Sequence, residues 1–540
     1  MAYEKTWASD GTKLSKEELH KLEKDGLDIL NDIDHYAKEG FESIPQELWG
    51  HFKWAGLYLQ KPKEAGYFMM RVNIPTGIIS NEQAVTLANI GKDYGRDVID
   101  ITTRQAIQYH WLTIEQLPDI YKRLNEVGLS SVGACGDIPR TIIGNPLAGI
   151  DRNELIDTRE IVNDVYHFFQ RNEDFSNLPR KFKMSISSNV HNAGHDRINC
   201  LAFTPATKEI DGEEVVGFHV KVGGGLSSKP YLAEELDAFV RPEEVKDVAI
   251  AITSIYRDYG YREKRHRARL KFLMADWGPE KFLGKLVEVY GKELPTKGED
   301  KVENWNAGYF YGVHKQKQEG LSYAGFNVPV GRMNSEQLLA LADVAKTYGN
   351  GEIRTCNSQN IVIPNVPDEK VADLLAEPVF ETITVKPKSF IGYSVACTGI
   401  EYCNLALVET KEATRKLAEY LDEQLELDVP VRIHMVGCPN SCGQRQIADL
   451  GLQGVLMKTK DKGMIEAFEI YVGGTLEKES ATFNQKLKGR IASDDLPEVL
   501  KQLFTFFKEE KVAAENFYDF VQRVGVETLQ AELDEILAGE

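Results

Sequence analysis

The chain has 540 residues, of which 42% are apolar and 27% charged, and its formal net charge is −19. Such a composition buries a large core and excludes a disordered, collagen-like or disulfide-scaffold protein. The acidic balance argues against a broad nucleic-acid surface while leaving room for a local basic pocket, and no run approaches the roughly 18 apolar residues of a membrane span.

The N-terminal stretch MAYEKTWASDGTKLSKEELHKLEKDG is charged throughout and lacks the apolar core of a signal peptide, which predicts a cytoplasmic protein. YFMMRVNIP alternates as a strand and stops at Pro75, and Gly77 turns the chain. Ser80 with Gln83 forms a capping-box signature, and Leu87, Ile90, Gly91 and Tyr94 continue at helical spacing. VIDI and AIQYHWL read as strands, with Ile107, Tyr109 and Trp111 on one face. Leu117, Ile120, Tyr121, Leu124 and Val127 mark a second helix, and the order βαββα predicts a ferredoxin-like split unit.

That unit occurs twice. Residues 73–107 align without a gap to 327–361, with 13 of 35 positions identical, among them Asn73/Asn327, Pro75/Pro329, Gly77/Gly331 and Gln105/Gln359. The period is too long for a solenoid, so it denotes a duplicated domain. A weaker echo joins GFHVKVGGGL (217–226) to AFEIYVGGTL (467–476), an offset of 250 that places Ser188 and Asn192 opposite Cys438 and Cys442. The expected fold is α+β, a pseudo-twofold chain of two related halves. The segment 494–540, with Leu500, Leu503, Phe504 and Phe507, is helical by pattern and serves packing.

Seven cysteines is an odd count, and their placement is uneven: Cys397, Cys403, Cys438 and Cys442 cluster, spaced as C-x5-C and C-x3-C. Four thiolates suit an iron–sulfur cube, and a helix beginning after Cys403 would support negative sulfur. Zinc and plain packing of small apolar side chains are the competing readings.

ACTGIEYCNLALVETK (396–411) and GCPNSCGQRQIADLGLQG (437–454) closely resemble the paired cysteine motifs of the sirohaem-dependent nitrite and sulfite reductase family. FKWAGLYLQ, FMMRVNIPTG, TTRQAIQYH, GNPLAGID, LPRKFK and ARLKFLMADWG resemble family segments too, so the likeness runs from about residue 40 to the end. The resemblance implies a ferredoxin-like unit plus a sirohaem-binding α/β domain in each half. The expected divisions are a wrapping segment (1–66), ferredoxin-like half-domain 1 (67–130), sirohaem and substrate domain 1 without a cluster (131–318), ferredoxin-like half-domain 2 (319–383), and a cluster and sirohaem domain with C-terminal helices (384–540).

The implied activity is six-electron reduction of sulfite to sulfide, with nitrite to ammonia as the alternative and a non-catalytic zinc- or cluster-stabilised binding protein as a remote one. Cys397, Cys403, Cys438 and Cys442 would hold a 4Fe–4S cluster, and Cys442 would also ligate sirohaem iron. With no nucleotide-binding or flavin motif in the sequence, electrons would come from ferredoxin or a similar carrier, without nucleic acid or membrane partners.

Sirohaem is a polycarboxylate and the substrate an oxyanion, so both need local positive charge. By motif position Arg71, Arg140, Lys181 and Lys183 match the family's substrate-side cations, while Arg104 and Asn145 match its sirohaem contacts. Arg180 is a further basic candidate. Strand alternation puts Lys181 and Lys183 on one face, an arrangement that favours an anion between them. In this segment family members acting on sulfite tend to carry Lys where the nitrite enzymes carry Asn, and Lys183 stands there. REKRHRARLK (262–271) reads as a solvated helix face, with a docking patch for an acidic donor as the alternative; VGGGL reads as a structural turn.

Overall fold

The structure, a computed structural model, describes residues 13–459, 461 and 463–539. The first twelve residues of the expected wrapping segment lie outside the described residues. Among the described residues no helix is long and apolar enough to cross a membrane.

Both ferredoxin-like units form as the sequence predicts. Ser80 Oγ accepts from Gln83 N–H at 3.2 Å while Gln83 Oε1 accepts from Ser80 N–H at 2.9 Å, which starts the helix Asn81–Tyr94. Asn334 and Gln337 repeat that box for Ser335–Tyr348. The two sheets exchange edges: Arg332–Met333 pairs with Ile99–Ile101 of the first unit, and Ile78–Ile79 pairs with Ile353–Thr355 of the second. One apolar core therefore spans both units, with Leu87, Ile90 and Tyr109 beside Phe326, Leu338 and Leu341. Trp111 departs from the predicted face. Its φ of +66° breaks the alternation, and its ring turns outward beneath Arg96, 4.2 Å from the centroid.

The remaining two sheets carry the echo. Met184–Ile186 lies parallel to Leu201–Ile210 in one, and Ile433–Val436 lies parallel to Leu450–Thr459 in the other, with pairs Met184↔Leu201 and Ile433↔Leu450. The offset between equivalent strands is thus 249, becoming 250 only beyond the hairpins, where Leu201↔Val222 answers Leu450↔Val472. This corrects the sequence alignment: Cys438 and Cys442 stand opposite Asn189 and Ala193. The single extra residue falls between the paired Thr459 and Gly463, whose counterparts in the first half are Ile210 and Glu213, so strand register is kept. The C-terminal helices Leu496–Glu510, Phe517–Val524 and Val526–Ala538 pack Phe504, Phe507, Phe517 and Phe520 into the second domain's core, as expected.

The helix Lys16–Glu23 is bolted to the first domain by buried charge. Glu18 pairs with Arg262 at 2.6 Å, and Lys21 with Glu18 at 2.5 Å and Asp137 at 3.4 Å. Asp137 also takes Arg265 at 2.7 Å and Arg180 at 3.2 Å. Burial pushes its carboxyl up, but Lys21, Arg265 and Arg180 outweigh that and hold it well below the usual carboxylate range. Removing one member of such a buried network leaves uncompensated charge, so Asp137→Asn is expected to cost about 3–5 kcal/mol. The depressed carboxyl adds stability above roughly pH 4 and loses it as pH falls further, so the variant and wild type should converge in acid. Thermal melts across pH check this; equal melting temperatures at pH 7 would show that the network contributes nothing.

Candidate active site

Four segments distant in sequence carry cations to one place. Arg71, on the strand Phe68–Val72, sits opposite Gln108 and donates to its Oε1 at 2.8 Å. Arg104 follows Thr102 in a tight turn made possible by Gln105 at φ +58°. Its guanidinium donates to Asn199 Oδ1 at 3.0 Å, Met184 O at 3.0 Å and Thr141 O at 2.5 Å. Arg140 donates to Gly136 O at 3.0 Å and Ala134 O at 2.9 Å. Phe182 is fully buried and stacks on Tyr256, which leaves its neighbours Lys181 and Lys183 facing the opposite way, as alternation predicts.

Among the described residues none of Arg71, Arg104, Arg140, Lys181 and Lys183 has a carboxylate within 4.0 Å, and the buried Nε atoms of Arg71 and Arg104 have no hydrogen-bond partner. Burial together with the neighbouring cations pushes Lys181 down to about 7 and Arg104 to about 9. Lys183 is driven down by burial, then by Arg104, Lys181 and Arg269. Concentrated, uncompensated cations are costly unless an anion joins them. The donor set therefore fits a polycarboxylate and an oxyanion.

Two candidates are not part of this set. Arg180 turns away to Asp137. Asn145 accepts from Leu147 N–H at 3.0 Å and donates to Asp151 at 3.3 Å, so its polar atoms shape the 144–151 loop. Arg269, by contrast, neighbours Lys181 and Lys183 in this group of cations and escaped the sequence reading. The expected solvated face at 262–271 holds for Glu263, Lys264, His266 and Arg267, which are exposed, but not for the other cations: Arg262 and Arg265 pair inward with Glu18 and Asp137, Lys271 donates to Leu226 O at 2.8 Å, and Arg269 Nη2 lies 3.3 Å from buried Cys200 Sγ. A signal existed in the echo. Gly225 stands where the second half has Thr475, and a Cβ there would come within 2.6 Å of the Arg269 guanidinium.

The cysteines approach from the second half. Cys397 ends the strand Ser394–Ala396; its Sγ accepts from Gly437 N–H at 3.2 Å, and burial pushes the thiol up to about 12. Cys403 N–H donates to Gly399 O at 2.9 Å. Positive φ at Ser441 (+54°) and Gln444 (+59°) folds the loop so that Cys442, the exposed member, presents its carbonyl to Thr103 Oγ1 at 3.1 Å. Cys442 is an electrostatic neighbour of Cys397, Cys403 and Cys438 and also of Arg71, Lys181 and Lys183, which places it where the thiols meet the cations.

No three of these sulfurs lie within 4.8 Å of one another. Zinc with bonds of about 2.3 Å would draw them to about 3.8 Å, whereas a cube holds its thiolates farther apart. The supporting helix starts later than predicted, at Lys411, because Leu407 N–H is drawn to Gly437 O at 2.9 Å; Thr410 still brings its N-terminus to Cys397, with Oγ1 3.8 Å from Sγ.

The chain matches the family model of the nitrite and sulphite reductase 4Fe-4S domain over residues 135–294 and 389–539. It matches that of the nitrite/sulfite reductase ferredoxin-like half domain over 60–127 and 314–380. It is 42% identical to a ferredoxin–nitrite reductase of Synechococcus elongatus, over 91% of this chain and 96% of the relative. It is 37% identical to a sulfite reductase [ferredoxin] of Mycolicibacterium paratuberculosis, over 92% of each. The solved structure of the Mycobacterium tuberculosis NirA protein superposes with a TM-score of 0.91 at 34% identity, covering 98% of this chain and 100% of that one.

Proposed function

The chain belongs to the nitrite and sulfite reductase family, and on that premise we propose that it reduces sulfite to sulfide, with nitrite as a second substrate and ferredoxin as electron donor. The observation that carries the choice of sulfite is the pair Lys181 and Lys183, two amines on one face with no carboxylate within 4.0 Å among the described residues, which an entering anion would hold protonated. Nitrite as the main substrate is the second reading, supported by the identity of the Synechococcus elongatus relative.

The family's cofactors are a 4Fe–4S cluster and sirohaem, which together would pass six electrons from the donor to one iron. Cys397, Cys403, Cys438 and Cys442 would hold the cluster, with Cys442 shared by the sirohaem iron; Arg104 would flank the sirohaem, while Asn145 would only shape the 144–151 loop. Arg71 and Arg140 bind and orient the oxyanion, their guanidiniums fixed by Gln108, Gly136 and Ala134. Lys183 adds charge that a dianion rewards more than a monoanion. Lys181, pushed down to about 7, holds a proton on Nζ that it can hand to an oxygen leaving as water. The phenyl ring of Phe182, locked against Tyr256, keeps both lysines aimed.

The test is an absorption spectrum with metal analysis, followed by turnover on sulfite and nitrite in parallel. Sirohaem bands, about five irons per chain and a higher kcat/KM on sulfite are expected. A colourless protein with stoichiometric zinc, or turnover of nitrite alone, would overturn the reading.

A further inference from the structure

A buried group of charges joins the two ferredoxin-like units to the cysteine loops, and the chemistry above does not use it. Asp100, 1% exposed, receives Arg332 Nε at 2.8 Å and Nη2 at 2.9 Å, His110 Nε2 at 3.1 Å and Lys411 Nζ at 3.5 Å. Lys411 is 3% exposed and also donates to Val330 O. Burial pushes His110 down despite Asp100, so its ring is neutral near pH 7. One carboxylate thus faces a guanidinium and an ammonium, which leaves a single positive charge in excess.

Lys411 pays a double cost for its place. It is desolvated, and it opens the helix Lys411–Gln424, the end at which the helix dipole opposes a cation. A bolt between halves needs only Asp100 and Arg332, which already form a bidentate pair. What Lys411 adds lies on the other side. Thr410, the preceding residue, donates through Oγ1 to Cys397 O at 2.7 Å, and Cys397 is among the charges that act on Lys411. His110 stacks at 3.7 Å on the ring of Tyr402, the residue before Cys403.

We propose that Lys411, with Asp100 and Arg332, sets the reduction potential of the cluster held by Cys397 and Cys403. The proposal rests on the cluster reading given above. A cluster that takes up one electron gains one negative charge, and a fixed positive charge in a low-dielectric surround favours that state. Removing the charge makes the cluster harder to reduce; removing Asp100 makes it easier.

The experiment is a titration of the loaded enzyme with dithionite and mediators, following the cluster's electron paramagnetic resonance signal alongside iron content. Lys411→Met keeps the stem and removes the charge. At the wild-type midpoint its reduced-to-oxidised ratio is expected to fall by about threefold or more, and Lys411→Arg to restore it to within about twofold. Asp100→Asn is expected to move the ratio the other way. Equal ratios in wild type and Lys411→Met at full iron content would overturn the proposal and leave Lys411 as a bolt. If Lys411→Met loses iron, the sign of the Asp100→Asn shift decides, and loss of iron from both variants overturns it as well. A wild-type enzyme with no cluster signal would instead overturn the proposed function.

Discussion

Cys442→Ser is expected to abolish turnover and to strip the chain of both cofactors in one step. Cys442 is the exposed thiol of the four, and it neighbours the other three cysteines and the substrate-side cations alike. A serine hydroxyl is a harder, weaker ligand for iron–sulfur chemistry than a thiolate. Losing an outer-shell partner typically costs about 10–100-fold, so a shared ligand should cost more than about 100-fold in kcat. The measurement is iron content and the sirohaem absorption of the purified variant. Preparations that keep sirohaem while losing only the cluster would assign the sirohaem ligand to another residue.

Lys183→Asn should lower kcat/KM for sulfite by about tenfold or more, roughly 1.4 kcal/mol, while sparing nitrite. Lys183 stands among Arg104, Lys181 and Arg269, which with burial drive its amine down, and it has no carboxylate within 4.0 Å among the described residues, so an entering anion is what holds it protonated. In a desolvated pocket one cation is worth on the order of 2–3 kcal/mol, and more to a dianion than to a monoanion. Parallel steady-state kinetics on both anions check the prediction. Equal losses would show that Lys183 supports the sirohaem or the fold rather than choosing the substrate.

Much of this was legible in the sequence because it is written locally. The capping boxes at Ser80 and Asn334, the strand alternation around Phe182 and the cysteine spacing all lie within a few residues of their effect. The 13 identities between 73–107 and 327–361 were enough to establish two ferredoxin-like units. The tertiary structure decided which charges face inward. REKRHRARLK looks solvated by composition, yet Glu18 and Asp137, far away in the chain, draw Arg262 and Arg265 in, and Gly225 clears the space for Arg269. The exchange of Ile78–Ile79 and Arg332–Met333 between sheets, and with it the meeting of Asp100, Arg332 and Lys411, likewise has no local signature. Periodicity reports which face of an element is apolar, but the partner of a buried charge is set by packing between segments hundreds of residues apart.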